Sequence, residues 1–158
     1  MDIQTVDYYS HKAGELFNEG YNCAQSVFLA FEDVLALDRD YALRLSSSFG
    51  AGMGRLREVG GAVSAMFAIT GIVYGYANPQ DDAMKAIHYQ RIQELAQTFE
   101  KKHGSIICRD LLGLDEKRSV PTPQKRDKTY YATRPCKKLV ESAAGIMGQY
   151  LNDHPVLN

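Results

Sequence analysis

The feature that most constrains the fold is an uncharged stretch that runs from residue 59 to residue 80. A stretch of this length would be long enough to cross a lipid bilayer. It is, however, rich in glycine and hydroxyl residues, it ends in an Asn-Pro pair, and no second segment of the chain resembles it. A central helix that its neighbours bury on most sides explains the same composition, because glycine and alanine let other helices approach closely. We therefore predict a buried central helix and no membrane insertion.

Helical periodicity extends over most of the remaining chain, with capping residues before the helices and glycines after them. The predicted helices run from about Thr5 to Phe17, from an Asn22 cap through Val34, from an Asp38 cap to Phe49, over the uncharged stretch, from Asp81 to about Lys102, from a Ser105 cap to Leu112, and from about Cys136 onward. We find no alternating strand pattern. The chain has 158 residues, of which 45% are hydrophobic, enough to build one core without a disulfide framework. We predict an all-α fold, a single domain over residues 1–158 with six or seven helices in one compact bundle around the glycine-rich central helix.

Residues 114–135 hold three prolines and are predicted to form a long basic loop that packs over the bundle. Between Lys117 and Lys138 there are eight basic residues and one acid, Asp127, although the formal net charge of the whole chain is −1. That overall balance argues against a nucleic-acid partner. The local excess indicates either a solvated loop or a contact with an anionic ligand. A loop of this length in a compact domain is often functional or mobile.

The number of cysteines indicates a cellular compartment. The chain has three, and an odd number fits poorly with a closed set of structural disulfides. The first residues are acidic and polar, unlike a secretory signal peptide. We therefore expect a cytoplasmic protein with free thiols.

Each cysteine falls in the first turn of a predicted helix. Cys23 follows the Asn22 cap, Cys136 follows a proline, and Cys108 lies shortly after Ser105. The free N–H groups and partial positive charge of a helix N-terminus stabilise a thiolate and lower the pKa of a thiol there. A free cysteine is also a common small core residue, but three of three at helix starts favours a shared site. No Cys-x-x-Cys pair is present, so the local zinc and thioredoxin signatures are absent.

A glycine-rich segment, Gly-Ala-Gly-Met-Gly-Arg at residues 50–55, invites comparison with phosphate-binding loops. No strand precedes it and no Gly-Lys-Ser or Gly-Lys-Thr follows, so the Walker and Rossmann contexts are both missing. A tight turn between helices is the simpler interpretation. If an anionic cofactor binds, we expect Gly52, Gly54 and Arg55 to hold it, with Arg57 beside them.

The motifs, taken together and in order, resemble the C-GCAxxG-C-C family of redox-active proteins. The matching segments are Gly-Tyr-Asn-Cys-Ala-Gln-Ser-Val at 20–27, Phe-Gly-Ala-Gly-Met-Gly-Arg at 49–55, Gly-Gly-Ala-Val-Ser-Ala at 60–65, Cys-Arg-Asp-Leu-Leu-Gly at 108–113 and Arg-Pro-Cys at 134–136. The resemblance implies a small helical protein with four characteristic cysteines, one of them in a CGAxxG motif. In this chain Gly60 stands where the motif cysteine is expected, and Ala65 stands where its last glycine is expected.

The missing thiol leaves three possibilities open. Cys23, Cys108 and Cys136 could form one dithiol couple with an additional cysteine, or a three-thiolate metal site completed by His103 or water. Alternatively, the chain is a non-catalytic helical protein that binds an anionic small molecule. Our leading hypothesis is a thiol oxidoreductase or redox sensor in which Cys23 is the nucleophile and Cys136 or Cys108 resolves the mixed disulfide. Its partner would be a redox protein or a small molecule, and paired tyrosines could support a homo-oligomer.

Overall fold

The computed structural model describes residues 3–156, and within them the regular structure is helical. The segments are α1 (Val6–Asn18), α2 (Cys23–Ala30), α3 (Glu32–Leu35), α4 (Arg39–Ser47), α5 (Gly50–Met53), α6 (Gly61–Tyr74), α7 (Asp82–His103), α8 (Cys108–Leu111), α9 (Lys128–Thr133) and α10 (Cys136–Asp153). An isolated antiparallel bridge joins Val59 to Ile107 without forming a strand. The all-α prediction is confirmed, and the six described helices of eight or more residues agree with the predicted number. Residues 1, 2, 157 and 158, which the predicted domain includes, lie outside the described part.

Helix α6 is the predicted central helix. It packs against α2, α7 and α10, and the residues of its buried face are Gly61, Ala62, Val63, Ala65, Met66, Ile69 and Thr70. Small residues at its start let α2 approach, and the larger Met66 and Ile69 fill the core further along. No helix in the described residues 3–156 is long and apolar enough to cross a membrane.

Most helix boundaries follow the capping residues. The side chains of Asn22, Asp38 and Asp81 accept N–H bonds at the starts of α2, α4 and α7 as predicted. Ser105 does not cap α8, where the N-cap is Ile107. The Ser105 hydroxyl instead accepts the Ile107 N–H and donates to the Asp110 carboxylate, both at 3.0 Å.

Two further boundaries differ from the prediction. The predicted second helix ends early because Phe31, at φ −101° and ψ 24°, separates α2 from the short α3. The predicted structureless loop at 114–135 contains the six-residue helix α9, and the Asp127 carboxylate accepts the Tyr130 N–H at its start. The cap was missed because prolines and basic residues dominate that tract.

Candidate functional site

The structure brings the three cysteines to one place. Cys23, Cys108 and Cys136 are the first residues of α2, α8 and α10, so the prediction that each lies in the first turn of a helix is confirmed. All three line one cavity of about 300 Å³. None of the three forms a disulfide in the structure.

Cys23 is held by the cap of α2. The Asn22 side chain accepts the Gln25 N–H at 2.9 Å, and the Gln25 side chain accepts the Asn22 N–H at 3.1 Å. This reciprocal capping box fixes the first turn of the helix. The half-buried sulfur of Cys23 also faces the Ala51 N–H, with a nitrogen-to-sulfur distance of 3.5 Å. The Cys23 sulfur is therefore next to backbone N–H dipoles from two places. One is the start of α2, and the other is Ala51.

Two glycines allow the backbone to come close to the thiols. A Cβ atom on Gly61 would lie 2.6 Å from the Cys23 Sγ and 2.7 Å from the Phe49 carbonyl oxygen. A Cβ atom on Gly52 would lie 2.6 Å from the Cys108 Cβ. These distances are too short for any other residue, so both glycines are needed for the packing around the cavity.

Cys108 is positioned by two short segments that run antiparallel. The Gly60 N–H donates to the Ile106 carbonyl oxygen at 2.8 Å, and the Cys108 N–H donates to the Glu58 carbonyl oxygen at 2.6 Å. This pairing brings the thiol beside Arg57, whose Nη1 lies 3.5 Å from the Cys108 Sγ. Arg57 is only 3% exposed. Burial raises the pKa of Cys108, and the hydrogen bond and charge of Arg57 act in the opposite direction.

Cys136 opens α10 beneath the loop. The pKa of its thiol is raised to about 11, chiefly by burial and then by negative charge on Cys23, while the Tyr130 side chain acts in the opposite direction. The expectation that a helix N-terminus lowers the thiol pKa is therefore wrong for Cys136 and Cys108. The loss of solvation outweighs the helix N-terminus at both positions, and α8 has only four residues.

The glycine-rich segment forms a left-handed turn. Ala51, Gly52, Met53, Gly54 and Arg55 all have positive φ, between 57° and 70°. The Gly54 N–H still donates to the Gly50 carbonyl oxygen at 2.9 Å, so the turn resembles one turn of a left-handed helix. A left-handed conformation costs roughly 1–2 kcal/mol for each residue that has a Cβ atom. Backbone strain of this kind is often found at functional sites.

The three predicted anion-binding residues of this turn do not share one position. Gly54 and Arg55 line the cavity, whereas Gly52 packs against Cys108 and is not among the lining residues. Arg55 Nε donates to the Val120 carbonyl oxygen at 2.6 Å, which ties the turn to the loop.

The cavity walls are positively charged and are completed by the basic loop. Four arginines line the cavity, Arg55, Arg57, Arg126 and Arg134, and none of the described residues that line it is an aspartate or glutamate. Loop residues Pro121, Pro123 and Gln124 also line it. The sequence indicated a basic tract but gave no sign that Arg126 and Arg134 lie at the thiols, because that placement depends on how the loop folds back over the bundle.

The three cysteines and His103 are the metal ligands that the sequence suggests. Among residues 3–156, no group of three or more His, Cys, Asp or Glu side chains is arranged to hold a metal ion. His103, considered as a fourth ligand, is not among the cavity residues. Its Nε2 lies 2.7 Å from the Ser142 Oγ, and its ring stacks obliquely on Phe99.

Comparison with known proteins identifies a family. A family model described as "Putative redox-active protein (C_GCAxxG_C_C)" matches residues 21–150, a range that contains all three cysteines, Gly60 and the loop. Neither a curated protein nor a solved structure matches the chain.

Proposed function

The chain belongs to the C_GCAxxG_C_C family, described as redox-active, and on this premise we propose that it is a thiol oxidoreductase whose three cysteines act in one cavity. Cys23 is the nucleophile, Cys136 resolves the mixed disulfide, and Cys108 is an additional thiol held by Arg57. The observation that carries the proposal is that all three thiols, although far apart in sequence, line one cavity.

The reaction is a two-electron exchange with a substrate disulfide. The Cys23 thiolate attacks one sulfur of the substrate, which forms a mixed disulfide and releases the other half as a thiolate that takes up a proton. The Cys136 thiolate then attacks the Cys23 sulfur. This second step forms the Cys23–Cys136 disulfide and releases the remaining half of the substrate as a thiol. The protein dithiol is oxidised, and the substrate disulfide is reduced to two thiols.

Cys23 is assigned as the nucleophile from the contacts of its sulfur. It is the first residue of an eight-residue helix and accepts the Ala51 N–H, and both features favour a sulfur anion. Burial raises the pKa of Cys108 and of Cys136, which makes the thiolate harder to form at those two positions. The contacts of the Cys23 sulfur therefore favour Cys23 for the first step.

Cys136 is assigned as the resolving cysteine from electrostatics. Negative charge on Cys23 affects the pKa of Cys136 more than negative charge on Cys108 does. When Cys23 enters a mixed disulfide it loses its charge, and that source of a high Cys136 pKa disappears. Burial still raises the pKa of Cys136, but the Tyr130 side chain and the positive charge of Arg134 act in the opposite direction and favour the resolving thiolate.

Mass spectrometry of single Cys→Ser variants after brief exposure to a small disulfide tests this order. We expect the wild type to form the Cys23–Cys136 disulfide and Cys136→Ser to accumulate a mixed disulfide on Cys23. Cys23→Ser should react much more slowly, and Cys108→Ser is the matched control that keeps the couple. The proposal fails if Cys23→Ser is oxidised as fast as the wild type, or if no intramolecular disulfide forms in any protein that retains Cys23 and Cys136.

A further inference from the structure

The positive lining of the thiol cavity defines a class of substrate. We propose that these thiols exchange with a small anionic disulfide, a molecule that carries carboxylate, phosphate or sulfonate groups near its sulfur atoms. This inference rests on the proposed function and adds the chemical identity of the substrate. It starts from the four arginines of the cavity lining and the lack of acids among its described residues.

Arg57 is the central observation. Its side chain is buried, with Nε donating to the Ser119 Oγ at 2.9 Å and Nη1 directed at the Cys108 Sγ. Neither contact is with a carboxylate, and among residues 3–156 Arg57 forms no salt bridge. A buried charge without an opposite charge is costly. An anion that enters the cavity would supply the missing negative charge in the space that the three thiols line.

Arg55 and Arg134 extend the positive region. Burial lowers the pKa of Arg55 most, and the positive charges of Arg57 and Arg134 lower it further, because these like charges lie close together; the more weakly acting negative charge of Glu116 raises it. Arg134 Nη2 donates to the neutral Gln124 amide oxygen at 2.9 Å, so this contact leaves the charge of Arg134 unneutralised. Planar guanidinium groups of this kind match carboxylate, phosphate and sulfonate oxygens.

Two neighbouring groups serve other purposes. Arg126 donates to the Phe17 and Tyr21 carbonyl oxygens, both at 2.8 Å, and its guanidinium lies 4.2 Å from the centre of the Phe17 ring. It therefore anchors the loop. The exposed Glu116 accepts the Ser119 hydroxyl at 2.8 Å but does not line the cavity, so its carboxylate remains outside the anion site.

The size of the cavity, and the loop that forms part of its wall, favour a small-molecule disulfide over a protein disulfide as the substrate. A volume of about 300 Å³ is at the lower end of the range of small-molecule pockets. Loop residues form part of the wall, and Cys108 is buried beneath. A disulfide on a protein surface could reach the thiols only if the loop moved away. Apolar side chains also line the cavity, among them Phe17, Phe99 and Leu139, and they suit the methylene and sulfur atoms of a small substrate.

A kinetic experiment compares three disulfides of similar size and different charge. Dithiodiglycolate is anionic, hydroxyethyl disulfide is neutral and cystamine is cationic. After correction for their intrinsic reactivity with a free thiol, we expect dithiodiglycolate to oxidise the protein at least about tenfold faster than cystamine at low salt. The difference should shrink at about 1 M salt, where charges are screened. Equal corrected rates for the three would overturn the inference.

Single substitutions test which arginines cause the preference for the anionic disulfide. Arg134→Gln and Arg55→Gln should each reduce the ratio of the corrected rates with dithiodiglycolate and cystamine several-fold. Arg118→Gln is the matched control, since Arg118 lies in the same loop but is exposed and outside the cavity lining. An equal loss of preference in Arg118→Gln would show that general loop charge, and not the cavity, makes the selection.

A binding experiment separates this inference from the redox proposal. In a variant with all three cysteines changed to serine, adipate, in which two methylene groups replace the disulfide sulfurs, should bind and hexanediol should not, as measured by calorimetry. Adipate binding that Arg134→Gln weakens supports the anion site even if the thiol order fails. Normal exchange through Cys23 without charge preference or adipate binding would refute the anion site alone. Faster oxidation by a protein disulfide than by dithiodiglycolate would also refute it.

Discussion

Arg57 directs its Nη1 at the sulfur of Cys108 from 3.5 Å, and both side chains are buried. Burial alone would keep the Cys108 thiol protonated, but the positively charged guanidinium group of Arg57 lies next to its sulfur. Because the guanidinium stabilises only the ionised form, the pair controls how easily Cys108 loses its proton.

Replacing Arg57 with methionine should therefore raise the pKa of Cys108 further. The measurement is the pH dependence of Cys108 alkylation in a background where Cys23 and Cys136 are serine. Arg109→Met is the matched control, because Arg109 is next to Cys108 in sequence but its Nη1 contacts the Arg57 carbonyl oxygen and the Glu58 carboxylate. An unchanged profile in folded Arg57→Met, verified by circular dichroism, would show that the contact has no influence on the thiol.

Alkaline pH should weaken the fold through Cys136. Its pKa is about 11, against an ordinary value of 9.0, so the unfolded chain loses this proton first. Above about pH 9 the unfolded state binds fewer protons than the native state, and the free energy of unfolding falls as pH rises. The free energy of unfolding should fall by about 1.4 kcal/mol per pH unit between about pH 9 and pH 11. The stabilisation that the buried, protonated thiol provides is fully present below about pH 9.

Denaturant titrations of the wild type and Cys136→Ala between pH 8 and about pH 11 measure this contribution. The variant should lose stability less steeply, whatever its stability at neutral pH. Tyr9 and Tyr74, whose pKa values are raised to about 12 chiefly by burial, contribute equally to both proteins, whereas the raised pKa of Tyr130 depends partly on Cys136 and counts with it. Parallel curves for the two proteins would refute the assignment to Cys136.

Gly60→Cys should be tolerated and should add a fourth thiol to the cavity. Gly60 has a negative φ of −58°, and a Cβ atom there meets its nearest neighbours, the Ile106 carbonyl oxygen and Leu111 Cδ1, at 3.6 Å. Since position 60 lines the cavity, we expect the new thiol to form a disulfide with a native cysteine under mild oxidation. Peptide mapping would identify the pair.

Gly61→Cys is the control for that substitution. It adds the same side chain one position later, where the Cβ atom would lie 2.6 Å from the Cys23 Sγ. We expect a loss of roughly 1–3 kcal/mol of stability or a failure to fold. If the two variants are equally stable in urea, the predicted difference in space is wrong.

Gly52→Ala should destabilise the fold more than Gly54→Ala. Both glycines have positive φ, 69° and 64°, so each alanine bears the left-handed cost of about 1–2 kcal/mol. Only at Gly52 does the added Cβ atom also collide, at 2.6 Å from the Cys108 Cβ, whereas at Gly54 the nearest atom is 3.8 Å away. The difference in unfolding free energy between the two variants measures the close packing against Cys108, and equal values would contradict it.

Local sequence signals gave the fold and part of the site. Capping by Asn22, Asp38 and Asp81 depends on residues within one turn, so sequence reasoning located those helix starts, and with them the first-turn position of Cys23. The resemblance also identified Gly60 as the place of the motif cysteine, and position 60 does line the cavity.

Other properties depend on contacts between distant segments. The high pKa of Cys136 results from burial under residues that arrive from elsewhere in the chain, and helix-start reasoning alone gave the opposite direction. The place of Arg134 in the cavity wall and the burial of Arg57 likewise follow from how the 114–135 loop and the 57–60 segment fold back. A pattern of charges along the chain contains no information about these distances.

The left-handed turn at residues 51–55 has a consequence for chirality. In a right-handed helix alanine is the most favourable residue and glycine among the least, but in a left-handed conformation that order is reversed. Glycine at position 51 should therefore be more stable than the native alanine, and a D-amino acid introduced there by chemical synthesis should be more stable still. Over these few residues beside the thiols, the backbone favours the mirror image of the geometry that the rest of the bundle adopts.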